Sequence, residues 1–242
     1  MRLDQYLVES GAFETRARAR DAILRGTVLV NDMPASKPSQ KVIGKPTIRV
    51  DDPAAGYVSR AALKLKSGLD YFGFSAEGKT CLDVGASTGG FTQVLLEAGA
   101  SCVYAIDVGH DQLHPSIASN SKVVQRDGLN ARSLTLDDLD RNAPEVIVSD
   151  VSFISLKLVL PNALAMAKPD AWGIFLVKPQ FEAGKDRIGK GGLVAPDVAE
   201  QVAEDVRQWF VKSSQWTVID MIPSPIKGGD GNIEFLLAAR KP

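Results

Sequence analysis

Two charged residues stand where apolar runs stop. Val146-Ile147-Val148-Ser149 ends in Asp150, and the run from Trp172 to Val177 ends in Lys178-Pro179. Burial disfavours the ammonium form, so a lysine at the close of a hydrophobic strand is a candidate base. The ends of consecutive strands in a parallel sheet lie side by side, so Asp150 and Lys178 are expected to be neighbours. The pair fits two readings: a structural ion pair, or a base with its partner. A third feature is the turn Gly85-Ala86-Ser87-Thr88-Gly89-Gly90. Cys81 to Val84 ahead of it reads as a buried strand, interrupted only by Asp83. Phe91, Val94, Leu95 and Ala98 behind it recur at helical spacing, and Gly99 is placed to end the helix. A strand, a Gly-rich turn and a helix point backbone N–H groups at a ligand, and the glycines let it approach.

Asp107 closes the next strand, Cys102 to Ile106, about twenty residues past the loop, where an acid can accept hydrogen bonds from a ribose diol. The ligand should therefore carry an adenosine. Ser87 stands where a dinucleotide fingerprint has its second glycine, which argues against a pyrophosphate. Asp83 suits a cationic ligand, and S-adenosylmethionine, with its amino group and sulfonium, fits. Gly85, Ser87 and Gly89 would receive its methionine end. Asp127, at the end of the strand through Val123-Val124, can reach an adenine amino group, or be an ordinary turn aspartate. A serine between glycines also matches the nucleophile elbow of hydrolases. That fold needs a late histidine, and the two histidines, His110 and His114, both lie far upstream of the last strands.

The elements that would hold these residues describe an α/β protein. With 242 residues there is room for one full α/β domain and a small appendage. A 45% hydrophobic and 24% charged composition puts the chain in the ordinary soluble class. No apolar run approaches the roughly 18 residues of a membrane span. The stretch from Ile154 to Ala167 contains Lys157 and Pro161. MRLDQYLVES is too polar for a signal peptide. Cys81 and Cys102 lie in predicted strands and read as core packing, with neither a disulfide framework nor a metal site, so a cytoplasmic location is expected.

Charge divides the chain. Residues 1–50 hold nine basic and five acidic side chains, while the whole chain has a net charge of -1. A basic module on an acidic main domain suggests a nucleic-acid-binding appendage. Its expected helices carry Leu3, Tyr6 and Leu7, ended by Gly11, and then Ala19, Ala22 and Ile23 behind a Thr15 cap. Arg16, Arg20 and Arg25 project from the second helix, on an RNA-facing or merely solvated side. Val28–Val30 and Ile48–Val50 read as short strands. Residues 51–58, with Asp51-Asp52-Pro53 and Gly56, read as a linker, leaving 59–242 as the α/β domain. There Ser59 can cap a helix carrying Lys64, which by itself reads as a solvated helix lysine. Further predictions are a helix over 156–167 and an amphipathic helix through Val198, Val202, Val206 and Phe210. Strands at 216–222 and 233–239, with Glu234 near the start of the second, should pair antiparallel because no helix separates them. The basic, Gly-rich stretch from Gly184 to Gly192, with Lys185, Arg187 and Lys190, reads as an RNA-contacting loop that orders on binding, or as a plain flexible turn.

Two resemblances sharpen these expectations. RLDQYLVESG, TRARARDAILRGTVLVND and KPSQKV are similar to the αL RNA-binding motif of a ribosomal small-subunit protein, pseudouridine synthases and tyrosyl-tRNA synthetases. The resemblance implies that Arg16, Arg20 and Arg25 contact RNA backbone. DVGASTGGF resembles the D-x-G-A-x-x-G-G-aromatic loop of FtsJ-type RNA ribose methyltransferases, which adds Gly90 and Phe91 to the cofactor set. SRAALKL resembles their entry helix, and SDVSF, VKPQFEAGK and GNIEFLL follow in order. Their Lys-Asp-Lys-Glu tetrad would fall on Lys64, Asp150, Lys178 and Glu234. The whole chain resembles the TlyA, or hemolysin A, family. That implies a Rossmann-like methyltransferase domain with a mostly parallel seven-stranded sheet, a small N-terminal α+β RNA-binding domain, S-adenosylmethionine as cofactor and 2′-O-methylation of ribosomal RNA, at cytidine. In that setting Lys178, with Asp150, deprotonates or orients the ribose 2′-hydroxyl, while Lys64 and Glu234 position it. The alternatives are a membrane-lytic protein, which no span or basic amphipathic helix supports, and an RNA-binding protein without activity, against which the intact loop and tetrad speak. A base methyltransferase lacks its usual cysteine or Pro-Pro-Tyr-like motif here.

Overall fold

Trp172–Val177 carries no charged side chain, and all of its residues are buried. A strand buried on both faces belongs inside a sheet covered on both sides. The computed structural model describes all 242 residues, the side chain of Lys185 excepted. The chain forms two compact units, Met1–Gly56 and Tyr57–Pro242.

The first unit contains α1 (Leu3–Glu9), α2 (Arg16–Leu24) and the short antiparallel strands β1 (Val28–Val30), β2 (Met33–Pro34) and β3 (Ile48–Val50), in the order β2-β1-β3. Leu3, Leu7, Phe13, Ala19, Ala22, Ile23 and Val28 make its core. Thr15 caps α2, its hydroxyl accepting the Arg18 N–H. Asp51 to Ala54 are built into this unit. The Asp51 N–H donates to the Thr27 carbonyl at 2.8 Å, the Arg25 guanidinium donates twice to Asp52 at 2.7 Å, and Ala54 is buried.

The second unit holds β4 (Thr80–Val84), β5 (Cys102–Ile106), β6 (Val123–Arg126), β7 (Val146–Ser149), β8 (Trp172–Val177), β9 (Thr217–Pro223) and β10 (Phe235–Arg240) in one sheet, ordered β6-β5-β4-β7-β8-β10-β9. The first five are parallel, and β10 runs antiparallel to both β8 and β9. The antiparallel end follows from the short connection between the last two strands. The chain moves outward through β4, β5 and β6 and then returns to place β7 beside β4. That reversal opens a crevice at the carboxyl ends of β4 and β7, where ligands bind in such sheets.

Its helices are α3 (Ala62–Phe72), α4 (Gly90–Glu97), α5 (Pro115–Ala118), α6 (Leu156–Val159), α7 (Pro161–Met166), α8 (Pro179–Glu182) and α9 (Pro196–Ser213). Alternation along the strands divides the core. Cys81, Val148, Ile174 and Leu176 pack with α3 and α4. Leu82, Ile147, Phe175 and Val177 pack with α6, α7 and α9. Two predicted helices differ. Ser59 does not cap α3: its hydroxyl accepts the Ala61 N–H at 3.2 Å, and the helix begins at Ala62. The single helix expected over 156–167 is two, because Pro161 has no N–H to continue α6 and instead opens α7. No helix among the described residues is long and apolar enough to cross a membrane.

Candidate active site

The Gly-rich turn is held by its neighbours. The N–H groups of Gly85 and Ala86 both donate to the Ile106 carbonyl, at 2.9 and 3.1 Å, which ties the turn to the end of β5. Gly85 has φ +82°, and a Cβ there would lie 2.7 Å from Val151 Cγ1. Both the backbone conformation and the space exclude a larger residue. Gly90, where a Cβ would come within 2.9 Å of Ser59 Cβ, lets the chain entering α3 pack on the first turn of α4. Ser87 also takes a positive φ, 47°, and its N–H donates to Asp107 Oδ2 at 2.9 Å. Asp107 Oδ1 accepts the Gly109 N–H at 2.8 Å. Asp107 thus stands at the mouth of the crevice with each oxygen fixed by one backbone donor and a further lone pair on each oxygen free of these contacts.

Around this turn lies a cavity of about 580 Å³, lined by Gly85, Ser87, Asp107, Gln112, Leu129, Asn130, Arg132, Asp150, Ser152 and Phe153 among others. A smaller cavity of about 150 Å³ shares Gly85, Ser87, Asp150 and Ser152 and extends to Ser59, Ala61 and Lys178. The larger volume falls within the roughly 300–1,000 Å³ of small-molecule sites.

At the carboxyl edge of the sheet four charged side chains form a row. Lys178 Nζ lies 2.6 Å from Asp150 Oδ1. Lys64 on α3 reaches Glu234 Oε2 at 2.5 Å. The β8–β10 ladder ends with Val177 opposite Phe235, so Lys178 and Glu234 occupy the next facing positions. The order across the row is carboxylate, ammonium, carboxylate, ammonium. Lys64, Lys178 and Glu234 are buried and Asp150 is partly buried, and alternation of sign is what makes burying these ionisable groups tolerable. The Lys64–Glu234 contact overturns the solvated-lysine reading of Lys64. Lys178 also donates a hydrogen bond to Ser152 Oγ at 2.8 Å.

Asp83, Gly89 and Asp127, expected at the cofactor, line neither cavity. Asp83 is fully buried behind the turn and lines neither cavity. Its Oδ2 accepts the Thr92 hydroxyl at 2.7 Å, and its Oδ1 has no partner. Burial, with the charges of Asp150 and Asp107 behind it, pushes this carboxyl up to about 7. The strand alternation that faces Leu82 and Val84 one way turns Asp83 toward α4. Asp127 is exposed, with its carboxylate accepting the Asp111 N–H at 2.9 Å and the Gln125 amide, and the cavity wall is formed instead by Leu129 to Arg132 just downstream. Phe91 is 3% exposed and packs in the core, meeting only the smaller cavity. The residues missed by sequence reasoning are Ser152, Phe153, Gln112, Asn130 and Arg132. Ser152 and Phe153 fall within the SDVSF stretch that carries the resemblance, which singles out only Asp150 there, and Gln112, Asn130 and Arg132 have no motif signal. Phe153 stands out in the structure, with φ +67°, 89% exposure and its ring 5.0 Å from that of Phe181.

The basic residues fall into distinct environments. In the first unit Arg20 is exposed, whereas Arg16 lies 3.2 Å from the buried Asp4, and Arg25 is committed to Asp52 and Asp21. Hydrogen bonds from Arg2 outweigh burial and hold the Asp4 carboxyl well below the usual carboxylate range. In the Gly-rich stretch Lys190 is exposed and Arg187 lies 3.6 Å from Asp205, while the side chain of Lys185 is outside the described residues. Two short 3₁₀ turns build this stretch. Asn232, only 2% exposed, accepts the Val194 N–H and donates to the Gly192 carbonyl, tying it to the loop that carries Glu234. No group of three or more His, Cys, Asp or Glu among the described residues is arranged to hold a metal ion.

The FtsJ-like methyltransferase family model matches residues 57–241, and the S4 domain model matches residues 1–43. Hemolysin A of Brachyspira hyodysenteriae is 39% identical over 98% of this chain and 98% of that protein. The 16S/23S rRNA (cytidine-2′-O)-methyltransferase TlyA of Mycobacterium tuberculosis is 40% identical over 99% of this chain and 89% of that protein. The solved structure of a hemolysin-designated protein from Streptococcus thermophilus superposes with a TM-score of 0.79 at 38% identity, covering 100% of this chain and 88% of that one. With a methyltransferase-type sheet, a Gly-turn cavity and a Lys-Asp-Lys-Glu row, preceded in the sequence by an S4 domain, the chain belongs to the FtsJ-like methyltransferase family, in the group that contains hemolysin A and TlyA.

Proposed function

We propose that this protein methylates the 2′-hydroxyl of a cytidine in ribosomal RNA, with S-adenosylmethionine as methyl donor, and that its S4 domain binds the RNA. The observation that carries the reading is the row Asp150–Lys178–Glu234–Lys64 beside the Gly-turn cavity. The residues present fit the cofactor. Gly85 and Ser87 offer a close backbone cradle, and Asp107 offers its remaining lone pairs to a ribose diol. Leu129 to Arg132 offer a wall for adenine. When bound, S-adenosylmethionine supplies an electrophilic methyl group on a sulfonium.

The protein's own residues then do three things. Lys178 meets the ribose 2′-hydroxyl at the smaller cavity and takes or orients its proton, leaving an oxygen lone pair free to attack. Asp150 holds Lys178 from one side. Lys64 and Glu234 fix the far side of the row and the position of the hydroxyl. Alignment is the main demand of methyl transfer, and buried, paired side chains on strand ends keep it. Arg20 and Lys190 offer exposed charge for phosphates, and Phe153 an exposed ring for a base. A ribosomal substrate implies a cytoplasmic location.

The test is incubation with labelled S-adenosylmethionine and unmethylated ribosomal subunits, followed by mapping of ribose methylation. A 2′-O-methyl cytidine that disappears with Lys178→Ala is the expected result. Cofactor binding without a mark on either subunit overturns the substrate assignment. A mark that survives Lys178→Ala overturns the base.

A further inference from the structure

We infer that Ser152 is a positioning residue of the reaction, the one that aims the Lys178 amine at the substrate hydroxyl. The inference rests on the reading of Lys178 as the group that meets that hydroxyl. A lysine side chain ends in a flexible stem, and its nitrogen has three donor directions, one of which is a lone pair in the amine form. Holding it at the right place is not enough; the lone pair must face the right way.

Two oxygens approach Nζ: Asp150 Oδ1 at 2.6 Å and Ser152 Oγ at 2.8 Å. They do different work. Asp150 Oδ1 lies at ion-pair distance but makes no directed hydrogen bond, whereas the contact to Ser152 has hydrogen-bond geometry. Asp150 therefore supplies charge, and Ser152 supplies direction. With one N–H committed to Ser152 and a second drawn to Asp150, the third tetrahedral direction of Nζ is set. Lys178, Asp150 and Ser152 line the smaller cavity together with Gly85 and Ser87 of the cofactor turn. The Ser152 hydroxyl, acting as acceptor toward Lys178, keeps its own proton for an oxygen in that cavity.

Ser152 is held where this requires. Residue 151, between the two oxygens' residues, has its Val side chain against Gly85, so one tripeptide locates both the lysine and the cofactor turn. Three residues on, Ser155 Oγ donates to Glu182 Oε2 at 2.5 Å, and the Leu156 N–H donates to Glu182 Oε1 at 2.7 Å. Glu182 ends the short helix that begins just after Lys178. The 150–156 segment and the 178–182 segment are thus joined twice, by Lys178–Ser152 at one end and by Glu182–Ser155 at the other.

Ser152 is exposed, so Ser152→Ala removes one hydroxyl without opening the core. The experiment compares wild type, Ser152→Ala, Ser152→Thr and Lys178→Ala in steady-state methylation of ribosomal subunits, with calorimetric S-adenosylmethionine binding and thermal unfolding alongside. The expected result for Ser152→Ala is a kcat lower by on the order of 10- to 100-fold, with KM for RNA, cofactor affinity and Tm unchanged. Ser152→Thr, which keeps the hydroxyl, restores most of kcat. A kcat for Ser152→Ala within a factor of about two of wild type, while Lys178→Ala is inactive, overturns the assignment of Ser152 and leaves that of Lys178 standing. Equal losses in Ser152→Ala and Ser152→Thr overturn it too, because the hydroxyl is then not what matters. Activity in Lys178→Ala overturns both readings.

Discussion

Removing one member of the Lys64–Glu234 pair tests the buried row directly. The side chains are 6% and 2% exposed and meet at 2.5 Å. Glu234→Ala leaves the Lys64 ammonium at its buried position without a counter-charge. Breaking a buried pair from one side costs about 3–5 kcal/mol, a large share of the roughly 5–15 kcal/mol that holds a domain together. At roughly 2–4 °C per kcal/mol for a unit of this size, the melting temperature should fall by roughly 6–20 °C. The double variant Lys64→Met/Glu234→Leu removes both charges and fills the space with apolar atoms. Its stability should return to near wild type or exceed it, since a buried pair gains little over a well-packed apolar one. Methyl transfer should stay lost in the double variant although the fold has recovered. Differential scanning calorimetry and the methylation assay on the same preparations read both quantities. An unchanged melting temperature for Glu234→Ala, or a double variant as unstable as the single one, refutes the argument that the row is a buried, mutually compensating set. Full activity in the restored double variant refutes its part in the reaction.

Three further outcomes follow from the same geometry. Gly85→Ala places a Cβ 2.7 Å from Val151 Cγ1 at φ +82°. Strain of about 1–3 kcal/mol in the turn should weaken S-adenosylmethionine binding roughly 5- to 150-fold by calorimetry, and Val151→Ala in the same chain should recover only part of it because φ stays positive. Asp83 titrates near 7 in the folded chain against an ordinary value of 3.8. The folded state therefore binds the proton more tightly, and the stability so contributed is present below 3.8 and is lost as pH rises through about 7. Asp83→Asn should flatten that fall and be relatively more stable at pH 8 in denaturant titrations, and an unaltered pH profile would refute the burial of an ionisable Asp83. In the first unit, Arg25→Ala strands the buried carboxylate of Asp52, 3% exposed, and should lower the stability of that unit. Arg20→Ala should leave stability alone and reduce the salt dependence of RNA binding by about one phosphate contact. The reverse pattern in melting and salt-titration experiments would show that the two arginines have been assigned to the wrong tasks.

Local pattern carried much of the architecture. The uninterrupted apolar runs at β7 and β8 could only be strands covered on both faces, and they appear at the expected residues. The short connection before β10 dictated an antiparallel last pair. The Gly-rich turn between a strand and a helix marked the cavity, and Asp107 was legible as the acid beside it. What spacing could not deliver was the partner of each side chain. Lys64 lies on an amphipathic helix, where periodicity assigns a face but not a neighbour. Its carboxylate comes from 170 residues further along the chain, so among readings of the residues themselves it was a solvated lysine, and only the resemblance placed it in the row. Asp83 and Asp127 sit beside the right strands yet line neither cavity; Asp83 is turned toward α4 by strand alternation, and the Asp127 carboxylate is taken up by the Asp111 N–H and the Gln125 amide. Ser152 falls in the SDVSF stretch, but that pattern does not name its partner, because the contact comes from Lys178 at the end of a different strand. Composition and periodicity determined the elements, their order and the end of the sheet at which the cavity opens. Long-range packing decided which charges are paired, which are buried and which way Lys178 points, because those depend on neighbours that only the closed sheet brings together.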